Sequence, residues 1–144
     1  MLIGILLAGL GRASAQTQTV LLIRHAEKAA EPAADPILSD AGSARAARLP
    51  ELFAHAMPTA AFSTQYQRTQ LTAQPLAQAA GITVTVLATG KSDTESYPQR
   101  LLENICSLPD GATALVVGHS NTVPAMVTAW TGDPLPAIAD GEYD

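Results

Sequence analysis

The chain has 144 residues, of which 47% are hydrophobic and 15% are charged, and its formal net charge is −5. This length suits one domain with a buried core, and the sequence indicates neither a second domain nor an internal repeat. The acidic balance disfavours general nucleic-acid binding, because neutralising a phosphate backbone requires a cationic face.

The first residues have the pattern of an export signal. Residues 2–10 form a short apolar segment, and the Ala-Ser-Ala triplet at 13–15 has the small-x-small form of a signal-peptidase site, although a basic n-region is missing. The segment is shorter than the roughly 20 apolar residues that span a bilayer, so we expect no stable membrane insertion. We expect residues 1–15 to be a signal peptide and residues 16–144 to form the domain of a periplasmic or secreted protein; an N-terminal core strand is the alternative.

The next element is an apolar run that breaks directly into two polar residues. Residues 20–23 predict a buried strand, and Arg24 and His25 follow at its carboxyl end. Open α/β sheets place their ligand crevice at the carboxyl ends of strands, so these two side chains are candidates for a catalytic pair. Residues 29–36, rich in alanine, proline and acidic residues, predict a loop beside them, with Lys28 at the mouth of the pocket.

A helix is predicted after this loop, capped by Ser39 or Asp40 and with an apolar face at residues 49–53. His55 at its end is interpreted as structural or solvent-exposed rather than as part of a site. We expect this helix to be scaffold.

A second arginine follows a second strand. Residues 61–64 predict a short strand that leads to Arg68, at the start of a helix over residues 68–80. Gly81 is the expected end of that helix, and residues 82–87 alternate as a further strand. Arg68 is therefore placed at the same edge of the sheet as the first pair.

The second half of the chain also predicts a strand that ends just before a polar residue. Residues 91–98 are polar, residues 99–107 predict a helix, and residues 113–117 predict a strand that ends just before His119 and a last helix. Strands that alternate with helices predict a mostly parallel α/β sheet. The single cysteine, Cys106, excludes an internal disulfide and is expected to be a small core residue.

Two arginines and two histidines can therefore converge at one sheet edge. Arg24 and Arg68 offer planar forks of donors that match a tetrahedral dianion bidentately. A neutral imidazole, from His25 or His119, has a free lone pair and can carry a phosphoryl group through a covalent intermediate. Because this chemistry needs no metal, we expect neither a metal nor a cofactor.

Four motifs, taken in order, resemble those of the histidine phosphatase superfamily, which includes phosphoglycerate mutase-like enzymes and small bacterial phosphohistidine phosphatases. They are an arginine-histidine signature at residues 24–25, a helix-opening motif at 38–42, a second-arginine segment at 63–69 and a distal-histidine motif at 118–121. The resemblance covers most of the chain.

The resemblance implies a phosphoglycerate mutase-like fold, a three-layer α/β sandwich with a mostly parallel central sheet. It also implies that His25 is the phosphorylated nucleophile and that Arg24, Arg68 and His119 bind the phosphoryl oxygens and stabilise charge. Members of this family usually continue past a segment like residues 140–144 into one more strand. We therefore expect this chain to lack its final strand.

The proton donor for the leaving group is the least specified residue. Glu95 is the first candidate, because many relatives carry an acidic residue in the loop after the third strand. Asp93 and Glu27 are alternatives, and His119 itself or a good leaving group would make a dedicated acid unnecessary.

The sequence thus predicts a metal-independent phosphomonoester hydrolase that forms a phosphohistidine on His25 and acts on a small-molecule or macromolecular phosphoester, with substrate and oligomeric state open. A rival is a non-catalytic phosphate-binding or interaction module. A phosphoglycerate-type mutase is disfavoured because the short chain has little room for the insertions that shield a phosphoenzyme. A Ser120 esterase is disfavoured because residues 118–122 only partly match a nucleophile elbow and no histidine follows Ser120.

Overall fold

A computed structural model describes residues 17–90 and 96–143. Strands and helices alternate along most of the described chain, as the hydrophobic pattern predicts. In chain order the elements are β1 (Thr19–Arg24), α1 (Asp40–Ala47), α2 (Leu49–Leu52), β2 (Ala60–Ser63), α3 (Gln67–Ala80), β3 (Val84–Val86), α4 (Ser96–Cys106), β4 (Thr113–Gly118) and α5 (Thr122–Thr131).

The sheet has the strand order β1-β4-β2-β3, and each of these pairs is parallel. In the register of β1 with β4, Arg24 lies opposite Gly118, and the His25 amide continues the ladder by donating to the Gly118 carbonyl at 2.9 Å. Ser63 of β2 lies opposite Val117. The carboxyl ends of three strands therefore meet at one edge, and the prediction of a parallel α/β sheet is confirmed.

The helices cover both faces of the sheet. Along β4 the side chains alternate with the period of two that a strand imposes, so Leu115 and Val117 pack with α2 and α3 while Ala114 and Val116 pack with α4 and α5. All four side chains are fully buried, at 0% exposure. The expected three-layer sandwich is confirmed, and β4 forms its core and fixes the residues that follow it.

Helix termini follow the predicted chemistry. The Ser39 hydroxyl accepts from the Gly42 amide at 3.1 Å, which is an N-cap of α1. Gly81 ends α3 with a φ of 70°, a left-handed conformation that glycine adopts without steric cost. Gly42 itself packs against the backbone of Glu27, so closely that a Cβ there would overlap the Glu27 carbonyl oxygen. The start of α1 is thus fitted against the segment that carries His25.

Three predictions about the helices were wrong. Cys106 is exposed rather than a core residue, because Tyr97, Leu101 and Ile105 form the buried stripe of α4 and the next residue points about 100° away from it. Leu52, expected on an apolar face, is 63% exposed. The predicted first helix is split between α1 and α2, where a proline in the first turn of α2 removes a backbone donor.

Within residues 17–90 and 96–143, no helix is long and apolar enough to cross a membrane. The predicted signal peptide at residues 1–15 lies outside the described residues, and the further strand expected after residue 144 lies beyond the sequence. Both stay predictions.

Candidate active site

The structure brings together the four predicted side chains, Arg24, His25, Arg68 and His119. They line a cavity of about 340 Å³ at the carboxyl ends of β1 and β4 and the amino end of α3. The rest of its wall includes Lys28, Tyr66, Thr89, Ser120, Asn121 and Asp140.

His25 is buried, at 5% exposure, and its ring has a defined tautomer. Its Nδ1 lies 2.8 Å from the carbonyl oxygen of Ala26, and because a carbonyl can only accept, Nδ1 carries the hydrogen and donates it. Burial lowers the pKa of His25 to about 4, opposed by the bond to Ala26 and assisted by the positive charges of Arg68 and Arg24. At neutral pH, Nε2 of His25 therefore carries an unprotonated lone pair.

His119 has the opposite tautomer. A guanidinium nitrogen of Arg68, Nη2, lies 3.4 Å from Nδ1 of His119 and can only donate, so Nδ1 accepts. Nε2 then carries the hydrogen and donates it to Oγ1 of Thr64 at 2.9 Å. Burial lowers the pKa of His119 to about 3, with further contributions from Arg68 and His25. The two imidazole rings lie 5.3 Å apart, both neutral at pH 7.

A chain of buried hydroxyls connects His119 to the helix that carries Arg68. Thr64 and Thr69 are both fully buried, and their Oγ1 atoms lie 2.9 Å apart. Thr69 donates to the Tyr66 carbonyl at 2.8 Å, so the consistent direction runs from His119 through Thr64 to Thr69. The sequence analysis missed this network, although both threonines lie within the second-arginine segment.

Besides its contact with His119, Arg68 has two further neighbours that fix it. Its Cζ lies 4.4 Å from the centre of the Tyr66 ring, and its Nη1 lies 3.7 Å from Oδ1 of Asp35. The same carboxylate oxygen accepts from the Gln67 amide at 3.0 Å, which caps α3. The buried Nε of Arg68 has no hydrogen-bond partner among the described residues. A buried N–H without an acceptor is unfavourable, so this group suits a ligand oxygen.

Arg24 is held by backbone carbonyls near the carboxyl end of the chain. Its Nη1 donates to Ala139 and Glu142 at 2.7 Å each, and its Nη2 donates to Asp140 at 3.1 Å. Its Cζ lies 4.2 Å from the centre of the Tyr143 ring. Like that of Arg68, its buried Nε has no partner in the described part of the chain. Sequence reasoning missed these contacts, because backbone acceptors have no sequence signature.

The chain matches a family model. Residues 20–89, which include Arg24, His25 and Arg68, match the model described as the histidine phosphatase superfamily, branch 1. Over these 70 of its 144 residues, just under half of its length, the chain is similar to this superfamily. A search of curated proteins found no significant match.

Solved structures with the same fold include candidate phosphatases from several bacteria. A candidate phosphohistidine phosphatase SixA from Agrobacterium tumefaciens is 25% identical, with a TM-score of 0.64 over 78% of this chain and 76% of the other. A candidate SixA from Nakamurella is 26% identical, with a TM-score of 0.52 over 76% of this chain and 63% of the other. A candidate alpha-ribazole-5'-P phosphatase from Escherichia coli, 16% identical, shares the fold with a TM-score of 0.65 over 82% of both chains. The predicted family is confirmed, and with these neighbours it identifies the chain as a phosphatase.

Of the three carboxylate candidates for the proton donor of this phosphatase, only Glu27 lies among the described residues. Glu95 and Asp93 lie outside the described residues. Glu27 does not fit the role, because Arg45 binds its carboxylate from two nitrogens at 2.8 to 3.0 Å and thereby lowers its pKa. A carboxylate with a lowered pKa is ionised and has no proton to donate.

No group of three or more potential metal ligands comes together within residues 17–90 and 96–143. The cationic groups that line the described cavity are Arg24, Arg68 and Lys28. The described donor set therefore suits an oxyanion.

Proposed function

We propose that this phosphatase is a member of the histidine phosphatase superfamily, a phosphomonoester hydrolase that acts without a metal ion and forms a phosphohistidine on His25. The observation that carries the proposal is the tautomer of His25. The hydrogen bond from Nδ1 to Ala26 leaves a neutral Nε2 lone pair in the cavity that Arg24 and Arg68 also line.

The reaction then has two displacements. Nε2 of His25 attacks phosphorus, the ester P–O bond breaks, and the leaving oxygen takes a proton. The hydrogen stays on Nδ1 and is still donated to the Ala26 carbonyl, which stabilises the positive charge of the phosphorylated ring. Water then attacks the same phosphorus, the P–N bond breaks, and inorganic phosphate leaves with His25 neutral again.

Arg24 and Arg68 are proposed to bind the nonbridging oxygens. Each has a buried Nε without a protein partner among the described residues, and donors fixed in advance are worth most where charge develops. His119 is proposed to take up a proton at Nδ1 when the phosphoryl dianion binds and to donate it to a phosphoryl oxygen, because a neighbouring negative charge favours the charged imidazole. Its ring centre lies 5.3 Å from that of His25. Glu95 remains the proposed proton donor for the leaving group.

Hydrolysis of an aryl phosphate in the presence of a chelator tests the proposal. The wild-type protein is expected to turn over, and His25→Ala is expected to lose turnover. His55→Ala is the matched control, because His55 does not line the cavity. Activity that required a divalent ion, or that survived His25→Ala, would contradict the mechanism. A folded wild-type protein that bound phosphate without turnover would favour the rival binding module.

We also propose that the protein is exported. The support is the apolar segment and Ala-Ser-Ala triplet of residues 1–15. Amino-terminal sequencing of the protein recovered from a periplasmic fraction is expected to begin at Gln16. Recovery of the uncleaved chain from the cytoplasmic fraction alone would contradict export.

A further inference from the structure

The contacts around Arg24 divide its guanidinium into a side bound by backbone carbonyls and a buried side that has no acceptor among the described residues. A guanidinium has five N–H bonds. The carbonyls of Ala139, Asp140 and Glu142 accept from both hydrogens of Nη1 and from one of Nη2. The Nε hydrogen and one Nη2 hydrogen remain, and these two nitrogens share one edge of the planar group. Such an edge matches two oxygens of a phosphoryl group bidentately.

Tyr143 fixes the plane of this group. Its half-buried ring lies with its centre 4.2 Å from Cζ of Arg24 and 6.3 Å from the centre of the His25 ring. A cation packed on an aromatic face at this distance is attracted to it, and the contact restrains rotation about the last bonds of the arginine.

The segment that supplies these contacts is itself anchored to the site. Glu142 donates through its amide to the Ala139 carbonyl at 3.0 Å, which closes a turn, and its carboxylate accepts from the Ala139 amide at 3.3 Å. The Ile138 amide lies 3.4 Å from the carbonyl of Ser120, the residue after His119. The turn thus connects the ends of β1 and β4.

We propose that residues 139–143 form a cradle that positions Arg24, and that Tyr143 is a positioning residue for phosphate binding. The three carbonyls occupy the outer donors, so a phosphoryl group meets the Nε and Nη2 edge. This inference rests on the proposed function, because it assigns that edge to the substrate phosphoryl group. The cradle does not close the site, since Arg24 and His25 still line an open cavity.

Titration of the full-length protein with inorganic phosphate tests the cradle directly. Tyr143→Leu is expected to weaken phosphate binding about threefold to tenfold, the range of a partly desolvated cation–π contact. Tyr143→Phe keeps the ring and is expected to restore most of this loss. Leu135→Ala is the matched control in the same region, because Leu135 is 45% exposed and lies outside the cradle.

A double-mutant comparison separates positioning of Arg24 from a general structural role. In an Arg24→Ala background, Tyr143→Leu should have no further effect on phosphate affinity, whereas in an Arg68→Ala background its effect should persist. As a second measurement, the Arg24 Nε–H resonance should shift on phosphate addition in the wild-type protein. Thermal melting of each variant monitors folding.

Three results would overturn the cradle. The first is a phosphate affinity that Tyr143→Leu leaves unchanged. The second is tighter phosphate binding in Tyr143→Leu, which would make the segment a competitor of phosphate. The third is an effect of Tyr143→Leu on phosphate affinity that is equally large in the Arg24→Ala background. A wild-type protein that bound phosphate in a Tyr143-dependent way without turnover would contradict the proposed hydrolysis and support the cradle. Turnover without any effect of Tyr143→Leu on phosphate binding would support the proposed hydrolysis and contradict the cradle.

Discussion

Oγ1 of Thr64 lies 2.9 Å from Nε2 of His119 and fixes the ring of that histidine from the side opposite Arg68. The hydroxyl accepts the imidazole hydrogen and passes its own hydrogen to Thr69, so each polar atom in this fully buried set has a partner. The orientation of His119 is therefore determined by Thr64, which follows β2 directly, and by Arg68 in the first turn of α3. This relationship leads to the first prediction.

Thr64→Val should reduce both activity and stability. The substitution keeps the shape but leaves the His119 hydrogen without an acceptor, which costs about 1–3 kcal/mol for a buried donor. We expect kcat to fall by about tenfold or more, because the ring loses its fixed orientation. Steady-state kinetics and urea denaturation measure the two effects. Thr64→Ser keeps the hydroxyl and is the control; equal losses in both variants would show that the hydrogen bond is not the cause.

The two low histidine pKa values predict a pH dependence of stability. His25 and His119 have folded-state pKa values of about 4 and about 3, below the usual value of 6.5 for a free histidine. Above the usual value, both histidines are neutral in the folded and in the unfolded chain, so their contribution to the free energy of unfolding is fully present. As the pH falls below 6.5, both histidines become protonated in the unfolded chain but stay neutral in the folded chain. The free energy of unfolding therefore declines until the folded pKa values are reached.

Urea denaturation at about pH 7.5 and about pH 5 measures this loss, since carboxylates stay largely ionised over that interval. The free energy of unfolding should be lower at the acidic end. A His25→Asn, His119→Asn double variant should lose much of the difference. A wild-type protein that is more stable at the acidic end would contradict the assignment of two neutral buried imidazoles.

Gly42→Ala should destabilise the fold and disturb the site. The added Cβ would overlap the Glu27 carbonyl oxygen, and backbone cannot yield as a flexible side chain can. We expect a loss of about 1–3 kcal/mol or more in the free energy of unfolding, the range for overpacking. Activity should fall as well, because Glu27 lies two residues after His25. Ser43→Ala, at the next and exposed position, should change neither quantity by a comparable amount.

The proposed proton donor makes a prediction that depends on the leaving group. Glu95→Gln should lower kcat by roughly 100-fold or more for an alkyl phosphate, whose leaving oxygen needs a proton, and much less for an aryl phosphate. Asp93→Asn is the matched control and should affect both substrates weakly. Equal effects of Glu95→Gln on both leaving groups would argue against a role as general acid.

Much of the fold could be predicted because hydrophobic period and strand ends are local signals. The apolar runs before Arg24 and before His119 place both at the carboxyl edge, and the caps at Ser39 and Gly81 follow from side-chain and backbone preferences. Cys106 was misplaced because its burial depends on a phase difference of one residue on α4.

Other parts of the site depend on tertiary contacts that no local pattern encodes. The cradle around Arg24 uses backbone carbonyls that lie 115 to 118 residues further along the chain. Because every residue type supplies such a carbonyl, these contacts have no sequence signature. The bond between Thr64 and His119 likewise joins two residues that directly follow different strands, β2 and β4. These features became visible only once the strand register was known.

The central claim is that His25 becomes phosphorylated. The most direct measurement is rapid quenching of the protein with a substrate labelled at phosphorus, followed by peptide mapping of the bound label. The account predicts label on His25 that is stable in base, released in acid and lost as inorganic phosphate at the rate of turnover, with none retained by His25→Ala. Turnover without a labelled enzyme, or label on another residue, would contradict it.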